Sequence, residues 1–207
     1  MASPETTLTA FRLAAWDTPL WVNPNRREGR YNNEGVGPTQ YMCLHPLGPW
    51  AELLRGEDRR QPGEVREFRM RLWVLRVRVA NIADLTFDTA EDYDVRAGDL
   101  VSDDYGACQE FADRHRADPK LPDILRVPSA ALPGTRNLVI LGPRVGAPYL
   151  AEPVSDIDIP TSVAAERGQA LHALPQLIRY RGEPHAEFEA WQRGETLAFV
   201  EPPTPLP

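Results

Sequence analysis

The chain of 207 residues carries 23 basic and 30 acidic side chains. Its net charge of −7 argues against a general nucleic-acid or anionic-membrane binder, since the field repels polyanions before contact. Hydrophobic residues at 42% exclude wholesale disorder, and two cysteines with four scattered histidines (His45, His115, His172, His185) predict neither a disulfide framework nor a metal site.

The N-terminal residues lack a basic stretch followed by an apolar run, and no segment has the length of a membrane span. The expectation is a cytoplasmic protein with reduced thiols. The 21 prolines predict short elements and many loops. A first strand is expected over 9–16, followed by an irregular stretch over 17–38 and a short strand over Thr39–Leu44. Pro46 and Pro49 suit a first helical position, so Trp50–Arg55 reads as a short helix with Glu52 near its start.

Over 66–82 the apolar residues alternate on even positions to Val74 and on odd positions from Leu75. This change of phase predicts two strands, or one strand carrying a bulge. Tyr105, Cys108, Phe111 and Ala112 form a helical stripe within 104–116, where Cys108 reads as a core side chain. Strands follow over 123–127 and 137–141, then helices over Ser162–Ile178 and His185–Arg193, then a proline-rich tail from Glu201. The irregular interleaving favours an α+β fold. Residues 1–150 form the expected core, with 151–207 as a helical extension and tail packed on the same domain.

Phosphate-loop, dinucleotide-fingerprint and nucleophile-elbow motifs are all absent. One cluster stands out, Arg26-Arg27-Glu28-Gly29-Arg30, three arginines against one glutamate in an acidic chain. Arginine suits bidentate contact with phosphate or carboxylate, and Gly29 and Gly35 would let backbone amides approach an anion. Taken alone, such a cluster reads first as a solvated, salt-bridged loop.

The order of the pieces that follow resembles the RES domain family, the toxin half of Xre–RES toxin–antitoxin pairs. The resemblance is carried by Phe11-Arg12, Gly29-Arg30-Tyr31-Asn32 with Gly35, Tyr41–Leu44, Trp50-Ala51-Glu52, Val127-Pro128-Ser129 and Arg136–Leu141. It implies an ADP-ribosyltransferase-like mixed central sheet flanked by short helices, and consumption of NAD as substrate rather than as a recycled cofactor. The family pattern of arginine, tyrosine, glutamate and serine falls on Arg30, Tyr41, Glu52 and Ser129 as catalytic residues. Tyr31, Asn32 and Asn137 join Arg30 and Tyr41 as residues lining the NAD pocket.

Cleaving the nicotinamide–ribose bond builds positive charge on the ribose, which a carboxylate such as Glu52 can stabilise. Arg30 can neutralise the diphosphate or an incoming inorganic phosphate, Tyr41 offers a flat face, and Ser129 a small donor. Each residue also has a plainer role open to it. Tyr41 suits a core strand, Glu52 a helix dipole, Ser129 a turn, and the asparagines local backbone bonds. The resemblance further implies a helix-turn-helix antitoxin of the Xre type as partner, without direct contact to nucleic acid or membrane. The segment past 150 is open to a sheet-covering role, a homo-oligomer surface or antitoxin contact. Transfer of ADP-ribose to a protein, and a catalytically silent binding module with the same fold, are the competing functions.

Overall fold

The structure is a computed structural model, and it describes residues 6–14, 27–65, 70–79, 81–142, 151–153 and 173–200. Arg26, residues 15–26 generally, the expected helix up to residue 172 and the tail from Glu201 lie outside them. Seven strands form one sheet: β1 (Thr6–Ala14), β2 (Thr39–Cys43), β3 (Arg71–Val79), β4 (Ala83–Asp84), β5 (Ile124–Pro128), β6 (Arg136–Leu141) and β7 (Ala151–Pro153). Their order is β4-β5-β6-β2-β1-β3-β7. Every neighbouring pair is antiparallel except β4 and β5, which are parallel. The fold is mixed α+β, with helices α1 (Gly48–Gly56), α2 (Pro62–Val65), α3 (Gly106–Ala117) and α4 (Ala186–Gln192).

The phase change at Val74 has a cause other than a bulge or a second strand. β3 pairs with β1 through nine consecutive registered partners, from Thr6↔Val79 to Ala14↔Arg71. Leu72 packs with Phe11, Leu13 and Trp50 on one side of the sheet. Leu75, Val77 and Val79 pack with Ala10, Met42, Leu138 and Ile140 in a different cluster. Successive side chains alternate between faces, so the strand buries one face at its start and the other afterwards.

α1 forms where Pro49 fixes its first turn and Arg55 meets the negative end of its dipole. Trp50, Ala51 and Leu54 are buried against Leu132, Leu174, Ile178 and Tyr180. A third cluster, built on Phe111, Leu85, Leu100 and Val139, lies under α3. Phe188 and Trp191 of α4 pack against it, stacked at 5.6 Å. Residues 173–200 are thus built into the same cores as the strands; of the helix expected over Ser162–Ile178, the described part holds the 3₁₀ turn Leu174–Gln176 and the rest lies outside the described residues. Among the described residues no helix is long and apolar enough to cross a membrane.

Leu75→Ala should cost about 2–5 kcal/mol in urea unfolding, because Leu75 is fully buried. The exposed neighbour Arg76→Ala should stay within about 0.5 kcal/mol.

Candidate active site

A cavity of about 400 Å³ opens between α1, the sheet and the 28–31 turn. Pro49, Glu52 and Arg55 recur every third residue of α1 and all line it, a single helical stripe facing the void. β2 supplies Tyr41 and Cys43, β6 supplies Asn137 and Val139, and the turn supplies Arg30 and Tyr31. Five of the expected site residues, Arg30, Tyr31, Tyr41, Glu52 and Asn137, therefore share one hollow. Its size falls within the ~300–1,000 Å³ typical of small-molecule sites.

Glu52 is fastened from the sheet side. Asn137 Nδ2 donates to its Oε1 at 2.9 Å, and Ser129 Oγ donates to the same oxygen at 3.5 Å. Among the described residues no guanidinium forms an ion pair with it. Ser129 is fully buried behind Glu52 rather than lining the cavity. Its Oγ also accepts from Leu132 N at 3.1 Å, and its backbone N–H bonds Thr135 across the turn that joins β5 to β6. The turn-forming role and the contact with the carboxylate are both real.

Asn32 is corrected from lining residue to support. It is buried beneath the cavity wall, with its amide nitrogen donating to the carbonyls of Arg27 and Asn33. Its Oδ1 accepts from the Tyr41 hydroxyl at 2.7 Å, and that hydroxyl accepts from Tyr31 N at 3.0 Å. The Tyr41 phenol is thus spent on protein partners, and the ring is what it offers to the void. Gly29 is required here because a Cβ would fall 2.7 Å from both Asn32 Oδ1 and Tyr41 Oη. Gly35 does not reach the cavity and supplies no anion contact there.

α3 holds this turn from outside. Gln109 Nε2 donates to the carbonyls of Gly29 and Asn32 at 3.0 and 3.3 Å. Asp113 accepts from Asn33 Nδ2 at 2.9 Å, and Arg116 Nη2 donates to Tyr31 O at 2.6 Å.

Burial divides the charges. It pushes the Cys43 thiol well up, with the Glu52 carboxylate adding to the effect, and it raises Cys108, Tyr31 and Tyr41 as well. Neutral thiols are poor nucleophiles, so neither cysteine suits covalent chemistry. The charged groups on the cavity wall are Arg12, Arg30, Arg55 and Arg181 against Glu28 and Glu52. Sequence reading singled out only Arg30 and Glu52 of these as site residues. Arg12 stood in the resemblance but was not assigned a role. Arg55 was recoverable from its spacing of three after Glu52, whereas Arg181 had no local signal. Among the described residues no group of three or more histidines, cysteines or acids could hold a metal ion.

The chain belongs to the RES domain family, whose model matches residues 9–162. No curated protein matches it in sequence. Seven chains of solved structures match. One comes from the M. tuberculosis MbcT–MbcA toxin–antitoxin complex, with 18% identity, a TM-score of 0.56, and coverage of 74% of this chain and 85% of that one. At that identity the likeness is one of fold.

Tyr41→Phe removes both phenol bonds and should lower the unfolding free energy by about 1–3 kcal/mol, measured by urea titration. A pH dependence follows from two buried histidines. His185 donates from Nε2 to Ser129 O at 3.0 Å while its Nδ1 accepts from Phe188 N, so the ring is held neutral. Burial lowers the pKa of His185 and of His115 below the ordinary 6.5. The unfolded chain therefore binds protons more readily, and stability is lost as pH falls below 6.5. The urea midpoint should drop between about pH 7.5 and pH 5.5, and His115→Phe should remove part of that drop.

Proposed function

We propose that this protein is an RES toxin that degrades NAD by breaking its nicotinamide–ribose bond. The observation that carries the reading is Glu52: a carboxylate held by Asn137 and Ser129, without a cationic partner among the described residues, facing a cavity walled by four arginines. As the C–N bond breaks, its electron pair leaves with nicotinamide and the ribose acquires oxocarbenium character. A fixed, unneutralised carboxylate attracts that emerging charge more strongly than it attracts the ground state, and this difference is what lowers a barrier.

An oxygen of water or inorganic phosphate then bonds to the ribose carbon, giving ADP-ribose or its 1-phosphate, and the proton of the nucleophile goes to solvent. Arg30 offers its guanidinium to the diphosphate, and the Tyr41 ring gives a flat wall for the base or ribose. An antitoxin of the helix-turn-helix Xre type would be the partner that restrains the activity. The M. tuberculosis relative was solved as a toxin–antitoxin complex, which supports that reading.

Purified protein should release nicotinamide from NAD, and chromatography with and without phosphate should identify the product. Glu52→Ala and Arg30→Ala should each reduce the rate about a hundredfold or more. Release that survives both substitutions would overturn the site assignment, and label transferred to protein would replace NAD breakdown with ADP-ribosylation. Expression without an antitoxin should arrest growth, and the Glu52→Ala chain should relieve the arrest.

A further inference from the structure

The fourth arginine of the cavity comes from beyond the family match, which ends at residue 162. Arg181 stands in a tight turn where Gly182 takes φ 80° and Glu183 N bonds Tyr180 O. Asp103 anchors that turn. It accepts from Gly182 N at 2.7 Å, from Arg179 Nη1 and Nη2 at 2.6 and 3.1 Å, and from Arg55 Nη2 at 2.5 Å. Arg55 lies one helical turn past Glu52, so a single carboxylate ties the 179–182 turn to the helix that carries Glu52.

Two residues beyond Asp103, Tyr105 touches two guanidiniums. Arg30 Cζ lies 4.8 Å from its ring centroid, and Arg181 Nη2 donates to its hydroxyl at 3.3 Å. Nearby arginines are neutralised: Arg55 and Arg179 by Asp103, Arg60 by Asp58 and Glu183. Among the described residues neither Arg30 nor Arg181 has a carboxylate partner, and Arg30 Nη2 is buried without an oxygen to donate to. An acidic protein has thus left two cations without a carboxylate among the described residues, one over the face of a phenol ring and one at its hydroxyl, both on the wall of the same cavity.

We infer that Arg30 and Arg181, both held against Tyr105, clamp a diphosphate group, and that the segment beyond the family match thereby completes the site. The identity of the ligand as NAD rests on the proposed function, while the charge of the site does not. Two guanidiniums held by one ring can each meet one of two linked phosphates, which a single phosphate cannot exploit. Asp103 is a positioning residue, since it acts through the turn that presents Arg181.

The test uses the full-length chain and Arg181→Ala, a change at an exposed position. KM for NAD should rise about tenfold with kcat within about twofold, because the contact lies away from the bond that breaks. Calorimetric affinity for inorganic pyrophosphate should fall about tenfold, with affinity for inorganic phosphate unmoved. Arg181→Lys should recover only part, because an ammonium cannot bind bidentately. Unchanged KM and unchanged pyrophosphate affinity would overturn the clamp while leaving NAD breakdown standing. A wild-type chain that binds pyrophosphate through Arg181 yet releases no nicotinamide would uphold the clamp and defeat the NAD reading.

Discussion

The hydrogen bond from Asn137 Nδ2 to Glu52 Oε1 joins the first helix to an interior strand of the sheet. It constrains the site twice over. The helix cannot slide without breaking it, so Pro49 and Arg55 keep their places on the same stripe. It also orients the carboxylate with a neutral donor. A guanidinium in that position would hold Glu52 as firmly but would cancel the field that an emerging cation feels.

The arrangement works because burial sorts the neighbouring groups. Thiols and phenols are driven toward their neutral forms by the loss of solvent. The wall therefore carries a local excess of positive charge within a chain that is acidic overall. A cleft with a net excess of one sign inside a molecule of the other concentrates its field on an anionic ligand.

Much of this was legible in the residue order. β1, β2, β3, β5, β6, α1 and α3 follow from periodicity and proline placement, whereas β4 and β7, two and three residues long, are too short to show a period. Three further features were not legible, each for a physical reason. The phase change in β3 depends on which face of the sheet is covered where, a property of partners distant in sequence. Asn32 differs from a lining residue only by the direction of its side chain, which Tyr41 and the neighbouring backbone carbonyls fix. Arg181 reaches the cavity only because Asp103, some eighty positions earlier, grips its turn.

The hydrogen bonds from α3 to the 29–33 turn bear on how a ligand would be received. Gln109 and Arg116 hold the backbone on either side of Arg30, and Asp113 holds the Asn33 side chain, before anything enters. The loss of conformational freedom there belongs to folding rather than to association. An incoming anion thus meets a preset rather than an adaptable contour, and discrimination between ligands falls to fit alone.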